Sequence, residues 1–227
     1  LVAALLISIM GLIDDYRKRM KPHLKLALQC LSGLMVYMVG IKISLFQNEF
    51  LNLFLTLFWI VGITNAFNLI DNMDGLSAGI ATIASFFFFV FLALQGQYFV
   101  AILSVALVGV CLGFLRYNFN NATIFMGNVG SQFLGFVIAF IGIKLCIGCP
   151  HTIMFAVPII VLGFPIFDTT LVTVDRLLHR NPFWIGDTNH SSHRLVNFTG
   201  SHKLAVITIY SVSIILGSIA LLLFTII

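Results

Sequence analysis

The sequence predicts an all-α polytopic membrane protein with about seven complete transmembrane helices and one truncated helix at the N-terminus. Of its 227 residues, 60% are hydrophobic and only 9% are charged, whereas ordinary soluble domains carry about 25% charged residues. The mean hydropathy is +1.08, and apolar runs of about 20 residues, the length of a spanning helix, recur along the chain. This composition argues against a soluble fold.

The predicted spans are apolar runs separated by polar connections. They cover residues 1–13 (truncated), 26–45, 50–67, 78–95, 98–115, 131–148, 152–173 and 204–227. A kink is expected in the span at 152–173, because it contains Pro158 and Pro165 with Gly163 between them. The chain opens inside an apolar run with no basic segment ahead of it. We therefore expect a single transmembrane domain over residues 1–227 that lacks its N-terminal helices.

The connections alternate between short ones and long polar ones, so one membrane face carries most of the polar residues. The long-loop side holds ten of the 12 basic residues: Arg17, Lys18, Arg19, Lys21, Lys25, Arg116, Arg176, Arg180, Arg194 and Lys203. By the positive-inside rule this face is cytoplasmic, and the basic residues indicate no nucleic-acid partner. The same side holds seven of the eight acids, which contribute little to topology: Asp14, Asp15, Asp71, Asp74, Asp168, Asp175 and Asp187. Their segregation indicates a shared cytoplasmic site.

The stretch 65–76 is the most informative polar segment, because it follows one apolar run and precedes another. Its Asp71 and Asp74 are three residues apart, so on a helix end or tight turn they face the same way. Gly75 lets the backbone turn or approach a ligand closely. Clustered oxygen donors suit Mg²⁺ held together with a substrate phosphate. The alternative is an ordinary polar turn between helices, capped by Asn and Asp.

Adjacent carboxylates at Asp14 and Asp15 mark a second cluster, which is followed by the basic residues of 17–25. Two such carboxylates repel each other unless a cation or a proton joins them. A solvated basic loop that contacts anionic lipid head groups would explain the Lys and Arg residues. It would not explain the acidic pair.

Two further clusters lie on the same face. The pattern from Gly127 to Ser131 could present backbone N–H groups to an anion, although, taken alone, it is better explained as a turn with a helix cap. His190 and His193 are three residues apart after Asp187, so one helical face could present both. Such a pair is more often structural than functional, but beside phosphates it could bind anions or move protons.

Together, these clusters resemble one family, the polyprenyl-phosphate N-acetylhexosamine-1-phosphate transferases of glycosyltransferase family 4. The matching elements are Gly-x-x-Asp14-Asp15, Asn65-x-x-Asn68-x-x-Asp71-x-x-Asp74-Gly75-Leu76, Phe125-Met-Gly-Asn-x-Gly-Ser131-x-x-Leu-Gly and Asp187-x-x-His190-x-x-His193-Arg-Leu. The chain departs from the family at Asn72 (commonly Gly), at Asn128 (an aspartate in the family) and at the serines of His190-Ser-Ser-His193. The serine-containing motif resembles the undecaprenyl-phosphate N-acetylglucosamine type rather than the muramoyl-pentapeptide enzymes.

The resemblance implies that a membrane polyprenyl phosphate attacks a UDP-N-acetylhexosamine, with N-acetylglucosamine as the expected sugar, and releases UMP. This would be the first membrane step of a cell-envelope glycan pathway, such as cell-wall or lipopolysaccharide synthesis. The expected setting is a bacterial inner membrane, with the active site facing the cytoplasm and Mg²⁺ or Mn²⁺ as cofactor. The resemblance assigns Asp14, Asp15, Asp71, Asp74, His190 and His193 to catalysis, Lys25, Asn65, Asn68, Asn118 and Arg194 to substrate binding, and Asp14, Asp15 and Asn128 to the metal.

Two alternatives from other classes stay open at the level of sequence. A secondary transporter would place its substrate site near the membrane midplane, but the central parts of the predicted spans carry almost no ionisable residues. A non-catalytic relative is suggested by Asn128 and by the N-terminal helices that we expect to be missing. A homodimer is also open.

Overall fold

Helices account for all the regular structure that the computed structural model describes, which comprises residues 1–16, 20–147, 152–179 and 190–226. In chain order the α-helices are α1 (Val2–Tyr16), α2 (Pro22–Met38), α3 (Glu49–Ile70), α4 (Leu76–Leu94), α5 (Tyr98–Asn118), α6 (Gly127–Cys146), α7 (Ala156–Val161), α8 (Gly163–Leu178), α9 (Ser191–Thr199) and α10 (His202–Ile226), with a 3₁₀ turn at Thr152–Phe155 ahead of α7. The predicted all-α class is confirmed.

Five helices of the described part, α3 to α6 and α10, are long and apolar enough to cross a membrane. The expected number of seven complete spans is therefore not confirmed. Helix α1 has 15 residues and α2 has 17, both shorter than the usual spanning length. The chain is nevertheless a multi-pass membrane protein by the length and composition of these helices.

The expected kink at 152–173 is a complete interruption of the helix. The chain forms a 3₁₀ turn, the short helix α7, and then α8, with Leu162 between the two α-helices. Pro165 lies in the first turn of α8, where its missing N–H group needs no partner. A proline in this position explains why the helix restarts at Gly163 instead of continuing from α7.

The predicted span at 26–45 is too long at its C-terminal end, because α2 stops at Met38. Gly40 follows with φ of +83°, a left-handed conformation that ends the helix. The extended residues beyond it are held by buried side chains of α3. Thr56 Oγ1 accepts a hydrogen bond from the backbone N of Ile43. Asn52 Oδ1 accepts hydrogen bonds from the backbone N atoms of Leu45 and Phe46. These polar residues replace the intrahelical bonds that the sequence pattern led us to expect.

Close helix packing places the polar helix ends together. Helix α6 is largely enclosed, and α3 and α1 pack against it. At Gly135 of α6, an added Cβ atom would lie 2.8 Å from Thr64 Cα in α3. At Gly11 of α1, it would lie 2.6 Å from Val129 Cα in α6. Both glycines therefore permit backbone approaches that any larger residue would block, and they bring the ends of α1 and α3 to the beginning of α6.

Candidate active site at one end of the helix bundle

The N-terminus of α6 receives the Asp15 carboxylate from the end of α1. Asp15 Oδ1 accepts hydrogen bonds from Asn128 N at 3.0 Å and Asn128 Nδ2 at 2.7 Å, and Oδ2 accepts one from Val129 N at 3.1 Å. A helix N-terminus favours an anion, because its first N–H groups lack helical partners and carry partial positive charge. Gly127, at φ of +64°, leaves room for the carboxylate, since a Cβ atom there would lie 2.7 Å from Asp15 Oδ2.

Asp14 points to different partners from those of its neighbour and is buried. Its Oδ1 atom accepts a hydrogen bond from the backbone N of Met20 at 2.7 Å, and its Oδ2 atom lies 3.2 Å from Lys25 Nζ in an ion pair. The cation that an adjacent carboxylate pair requires is therefore supplied to Asp14 by α2. Lys25 Nζ also donates to Asn68 Oδ1 at 2.9 Å, which connects α2 to α3.

A continuous chain of hydrogen bonds joins the two aspartates. From Lys25 it passes to Asn68, whose Nδ2 atom donates to Asn128 Oδ1 at 2.8 Å, and Asn128 Nδ2 donates to Asp15. Asn68 Nδ2 also donates to Ser131 Oγ at 3.0 Å. We refer to Asp14, Lys25, Asn68, Asn128 and Asp15 as the aspartate network. It brings five of the predicted site residues together from four helices.

A second polar layer lies one helical turn deeper in the bundle. Gln29 Nε2 donates to Asn65 Oδ1 at 3.2 Å and to Gln132 Oε1 at 3.3 Å, and Asn65 Nδ2 returns a hydrogen bond to Gln29 Oε1 at 2.8 Å. Gln29 and Gln132 are buried. Asn65, predicted to bind substrate, therefore supports the layer under the aspartate network. The sequence could have indicated both glutamines as buried hydrogen-bonding residues, because each is an amide inside a predicted apolar span.

The loop between α3 and α4 carries Asp71 and Asp74, as predicted, but the two face different surroundings. Burial, and secondarily the negative charge of Asp15, raise the pKa of Asp71 to about 7. Asp74 Oδ2 instead accepts a hydrogen bond from the backbone N of Ala122 at 2.9 Å. Asp71 therefore belongs with the aspartate network, and Asp74 joins this loop to the loop between α5 and α6.

Asn118 holds the turn after Asp74 and lies outside the aspartate network. Its Oδ1 atom accepts a hydrogen bond from Gly75 N at 2.9 Å, and its Nδ2 atom donates to Ile124 O at 2.9 Å. Gly75 has φ of +78°, and the Tyr210 hydroxyl donates to its carbonyl. With both ends of its buried amide used in this way, Asn118 shapes the loops around the site.

The predicted histidine motif begins at the N-terminus of α9, and Asp187 lies outside the described residues. His190 is buried, and its Nδ1 atom lies 2.7 Å from Oδ2 of the fully buried Asp168 on α8. Asp168 Oδ1 accepts hydrogen bonds from the backbone N and the hydroxyl of Ser191. Ser192 Oγ donates to Asn72 Oδ1 at 3.1 Å, so the motif is attached to the loop between α3 and α4.

His193 is more open than His190, and the two ring centres are 6.3 Å apart. Partial burial, followed by the positive charges of His190 and His202, lowers the pKa of His193. Arg194 is more than half exposed, and its nearest acid is Asp175, with 3.9 Å between Nη2 and Oδ1. His193 and Arg194 are therefore the accessible groups of this motif.

Asp168 is the main residue that was not assigned a role from the sequence. Its signal was an acid inside a predicted apolar span, since ionisable residues within membrane segments are usually functional. A polar cavity of about 520 Å³ adjoins the site, between the loop at 72–74, residues 119–121 and the start of α10. A second, apolar cavity of about 360 Å³ is lined mainly by α3, α6, α7 and α8 and shares no residue with the site.

The donor chemistry of the aspartate network fits a hard divalent cation. Asp15 is exposed, and it lies close enough to the half-buried Asp71 for its charge to contribute to the raised pKa of that carboxyl. A cation between them would remove this repulsion, and carboxylate oxygens are what Mg²⁺ prefers. Asn128 directs its nitrogen at Asp15 and its oxygen at Asn68. The described residues contain no group of three or more His, Cys, Asp or Glu side chains arranged to hold a metal by themselves.

Comparison with known proteins identifies the family. Residues 1–146 match the family model described as Glycosyl transferase family 4. A probable undecaprenyl-phosphate N-acetylglucosaminyl 1-phosphate transferase of Bacillus subtilis (strain 168) is 36% identical over 231 residues, covering 98% of this chain and 64% of that protein. The phospho-N-acetylmuramoyl-pentapeptide-transferase of Streptococcus mutans is 36% identical over 164 residues, covering 64% of this chain and 48% of that protein.

The Streptococcus pneumoniae serotype 2 enzyme of the same name is 36% identical over 155 residues, which cover 62% of this chain and 48% of that protein. The chain thus spans about half to two thirds of the length of these relatives. The family match itself extends over more than half of the residues and includes the aspartate network. The chain belongs to glycosyl transferase family 4.

Proposed function

We propose that the protein transfers N-acetylhexosamine 1-phosphate, with N-acetylglucosamine as the sugar, from its UDP derivative to a membrane polyprenyl phosphate. The observation that carries this proposal is the aspartate network at one end of the bundle. It combines two carboxylates, one ammonium group and two amides beside membrane-spanning helices. The relatives named above, a probable undecaprenyl-phosphate N-acetylglucosaminyl 1-phosphate transferase among them, support the same chemistry.

In this reaction an oxygen of the lipid phosphate attacks the sugar-bearing phosphorus of the nucleotide. The P–O bond between the two phosphates breaks, UMP leaves with the bridging oxygen, and the lipid carries a diphosphate linked to the sugar. Such transfers depend mainly on positioning and charge neutralisation. Lys25 would neutralise phosphate charge next to Asp14, while Asp74 and the loops held by Asn118 would line the nucleotide side.

Mg²⁺ is part of the proposal, with Asp15 and Asp71 as the residues that would hold it. When bound, the ion would supply positive charge to the diphosphate oxygens. Asn128 would hold Asp15 in place through its amide nitrogen. Direct ligation by Asn128 or by Asp14 stays a prediction, because Asn128 Oδ1 accepts from Asn68 and Asp14 is paired with Lys25.

We place the reaction on the cytoplasmic side of a bacterial inner membrane. The basic residues of the long connections favour this orientation, and the aspartate network lies at that end of the helices. A transporter is not favoured, since the relatives are transferases and the carboxylates of the aspartate network lie at helix ends.

The test is release of UMP from UDP-N-acetylglucosamine by the full-length protein in detergent, with and without polyprenyl phosphate. We expect lipid-dependent UMP release in the presence of Mg²⁺. Asp15→Asn and Asp14→Asn should each abolish transfer without unfolding the protein, although Asp14→Asn should lower the thermal midpoint because it breaks the ion pair with Lys25. Absence of UMP release with this donor and with the muramoyl-pentapeptide donor would leave the non-catalytic alternative as the better description.

A further inference from the structure

The two histidines of α9 differ in their surroundings, although the sequence motif presents them as equivalent. His190 is only 3% exposed and lies at the N-cap position of α9, where its Nδ1 atom faces Asp168. His193 is one turn further along and is partly exposed. A buried histidine held by a buried carboxylate is poorly placed to meet a polar substrate. The more open histidine is better placed.

Asp168 on α8 holds the first residues of α9 through hydrogen bonds. It is fully buried, and its two oxygens accept hydrogen bonds from His190 Nδ1, the Ser191 backbone N and the Ser191 hydroxyl. An ionised carboxylate only accepts hydrogen bonds, so the Nδ1 atom of His190 must carry a hydrogen. These bonds compensate the cost of burying a charge. They also bind the first turn of α9 to α8.

The remainder of α9 contributes two half-buried apolar side chains, Leu195 and Val196, which pack against the core. Ser192 is the one buried residue of this nine-residue helix, and its hydroxyl donates to Asn72 Oδ1. The helix packs mainly against α10. Its first turn is therefore located by two polar contacts, one to Asp168 and the other to the loop that carries Asp71. His193 follows one turn later, with its ring centre 6.3 Å from that of His190 and close enough to His202, which lines the polar cavity, to interact with its charge.

We infer that Asp168 and His190 form a buried anchor that positions His193 to contact the phosphate groups of the substrate. On this assignment Asp168 and His190 are positioning residues, and His193 is the histidine that meets the substrate. The inference rests on the proposed function for the identity of the substrate. The anchor itself rests only on the contacts of Asp168.

Substitution of His190 or His193 by asparagine distinguishes a positioning residue from a residue that contacts the substrate. The Nδ2 atom of Asn occupies nearly the position of Nδ1 of His, so His190→Asn retains a donor to Asp168. We expect this variant to keep kcat within about threefold of the wild type, whereas His190→Ala and Asp168→Ala lose at least tenfold. His193→Asn should lose at least tenfold in kcat, because the Nε2 atom of the ring is gone.

Hydrogen exchange of residues 191–199 in full-length protein provides a readout that does not depend on turnover. We expect faster exchange in Asp168→Ala and His190→Ala, and wild-type exchange in His190→Asn and His193→Asn. The inference is overturned if His190→Asn is as inactive as His190→Ala while its α9 exchange is that of the wild type. It is equally overturned if Asp168→Ala leaves exchange unchanged. Failure of the wild-type protein to release UMP would refute the proposed function instead. The hydrogen-exchange measurement would still test whether Asp168 and His190 hold α9.

Discussion

The direction of each hydrogen bond in the aspartate network is determined by its two ends. Lys25 can only donate and the Asp15 carboxylate can only accept, so the amides between them must each accept on one side and donate on the other. Asn128 meets this requirement because its amide carries both an oxygen and an NH₂ group. An aspartate at this position would accept from Asn68 equally well but would repel Asp15.

We predict that Asn128→Asp makes the protein more dependent on Mg²⁺ for stability and lowers the Mg²⁺ concentration that gives half-maximal activity. The substitution replaces a donor 2.7 Å from Asp15 by a second carboxylate, which a cation can neutralise. Thermal midpoints with EDTA and with increasing Mg²⁺ check the first part. Asn128→Ala is the control, since it removes the contact without adding charge. An unchanged Mg²⁺ response in Asn128→Asp would place residue 128 away from the ion.

Asp71 supplies a prediction about pH. Burial and the charge of Asp15 raise its pKa from 3.8 to about 7 in the folded protein, so the folded state binds this proton more tightly than the unfolded chain does. The stabilising contribution is complete below about pH 4 and is lost as the pH rises through about 7. In Mg²⁺-free buffer, the thermal midpoint of Asp71→Asn should therefore rise relative to that of the wild type as the pH increases from about 4 to about 7. A constant difference between the two proteins would contradict the assignment.

At the scale of elements, the position of the site depends on how closely α1 approaches α6. Gly11 lies one helical turn before Asp15, and its lack of a side chain lets α1 contact the backbone of Val129. The same approach puts the Asp15 carboxylate on the N–H groups of α6. The close approach of α1 to α6 at Gly11 therefore accounts for both the packing of these helices and the position of Asp15.

We predict that Gly11→Ala lowers the unfolding free energy by about 1–3 kcal/mol, the usual cost of overpacking. The added Cβ atom would lie 2.6 Å from Val129 Cα, which cannot move independently of the helix. Gly109→Ala in α5 is the matched control, because no atom lies within 4 Å of its added Cβ. Thermal midpoints and UMP release should both fall for Gly11→Ala and stay unchanged for the control. Equal behaviour of the two variants would refute the packing argument.

At the scale of the whole molecule, the polar ends of α1, α3 and α6 and the N-terminus of α9 converge on one face of an apolar bundle. Such an arrangement suits a reaction between a water-soluble nucleotide and a membrane lipid. The preference for one nucleotide donor should depend on several loops together, since residues from several of them line the polar cavity.

We predict that UDP-N-acetylglucosamine is preferred over the muramoyl-pentapeptide nucleotide. The support is the His190-Ser-Ser-His193 pattern, together with the coverage of 98% of this chain by the Bacillus subtilis relative. Competition between the two nucleotides in the UMP-release assay measures the preference. A lower KM and higher kcat for the pentapeptide donor would assign the protein to the other branch.

Hydropathy and charge segregation act over long segments, so they are enough to predict the helical membrane class and the polar face. The family resemblance adds the residues proposed for the site. The match of residues 1–146 to the family covers three of the four clusters, and the histidine motif at 187–195 lies beyond it. Helix ends were less predictable. Helix α2 stops before the left-handed Gly40, and the extended residues after it are held by Asn52 and Thr56 of the next helix, 6 to 13 residues further along the chain.

The different surroundings of the predicted site residues follow from contacts between helices. The tertiary structure separated Asp14 from Asp15, although they are adjacent, by giving one to Lys25 and the other to the start of α6. It likewise assigned His190 to Asp168 and left His193 more open. Spacing along a chain specifies which side chains share a face. Their hydrogen-bond partners come from other helices, so their roles are decided by packing between helices.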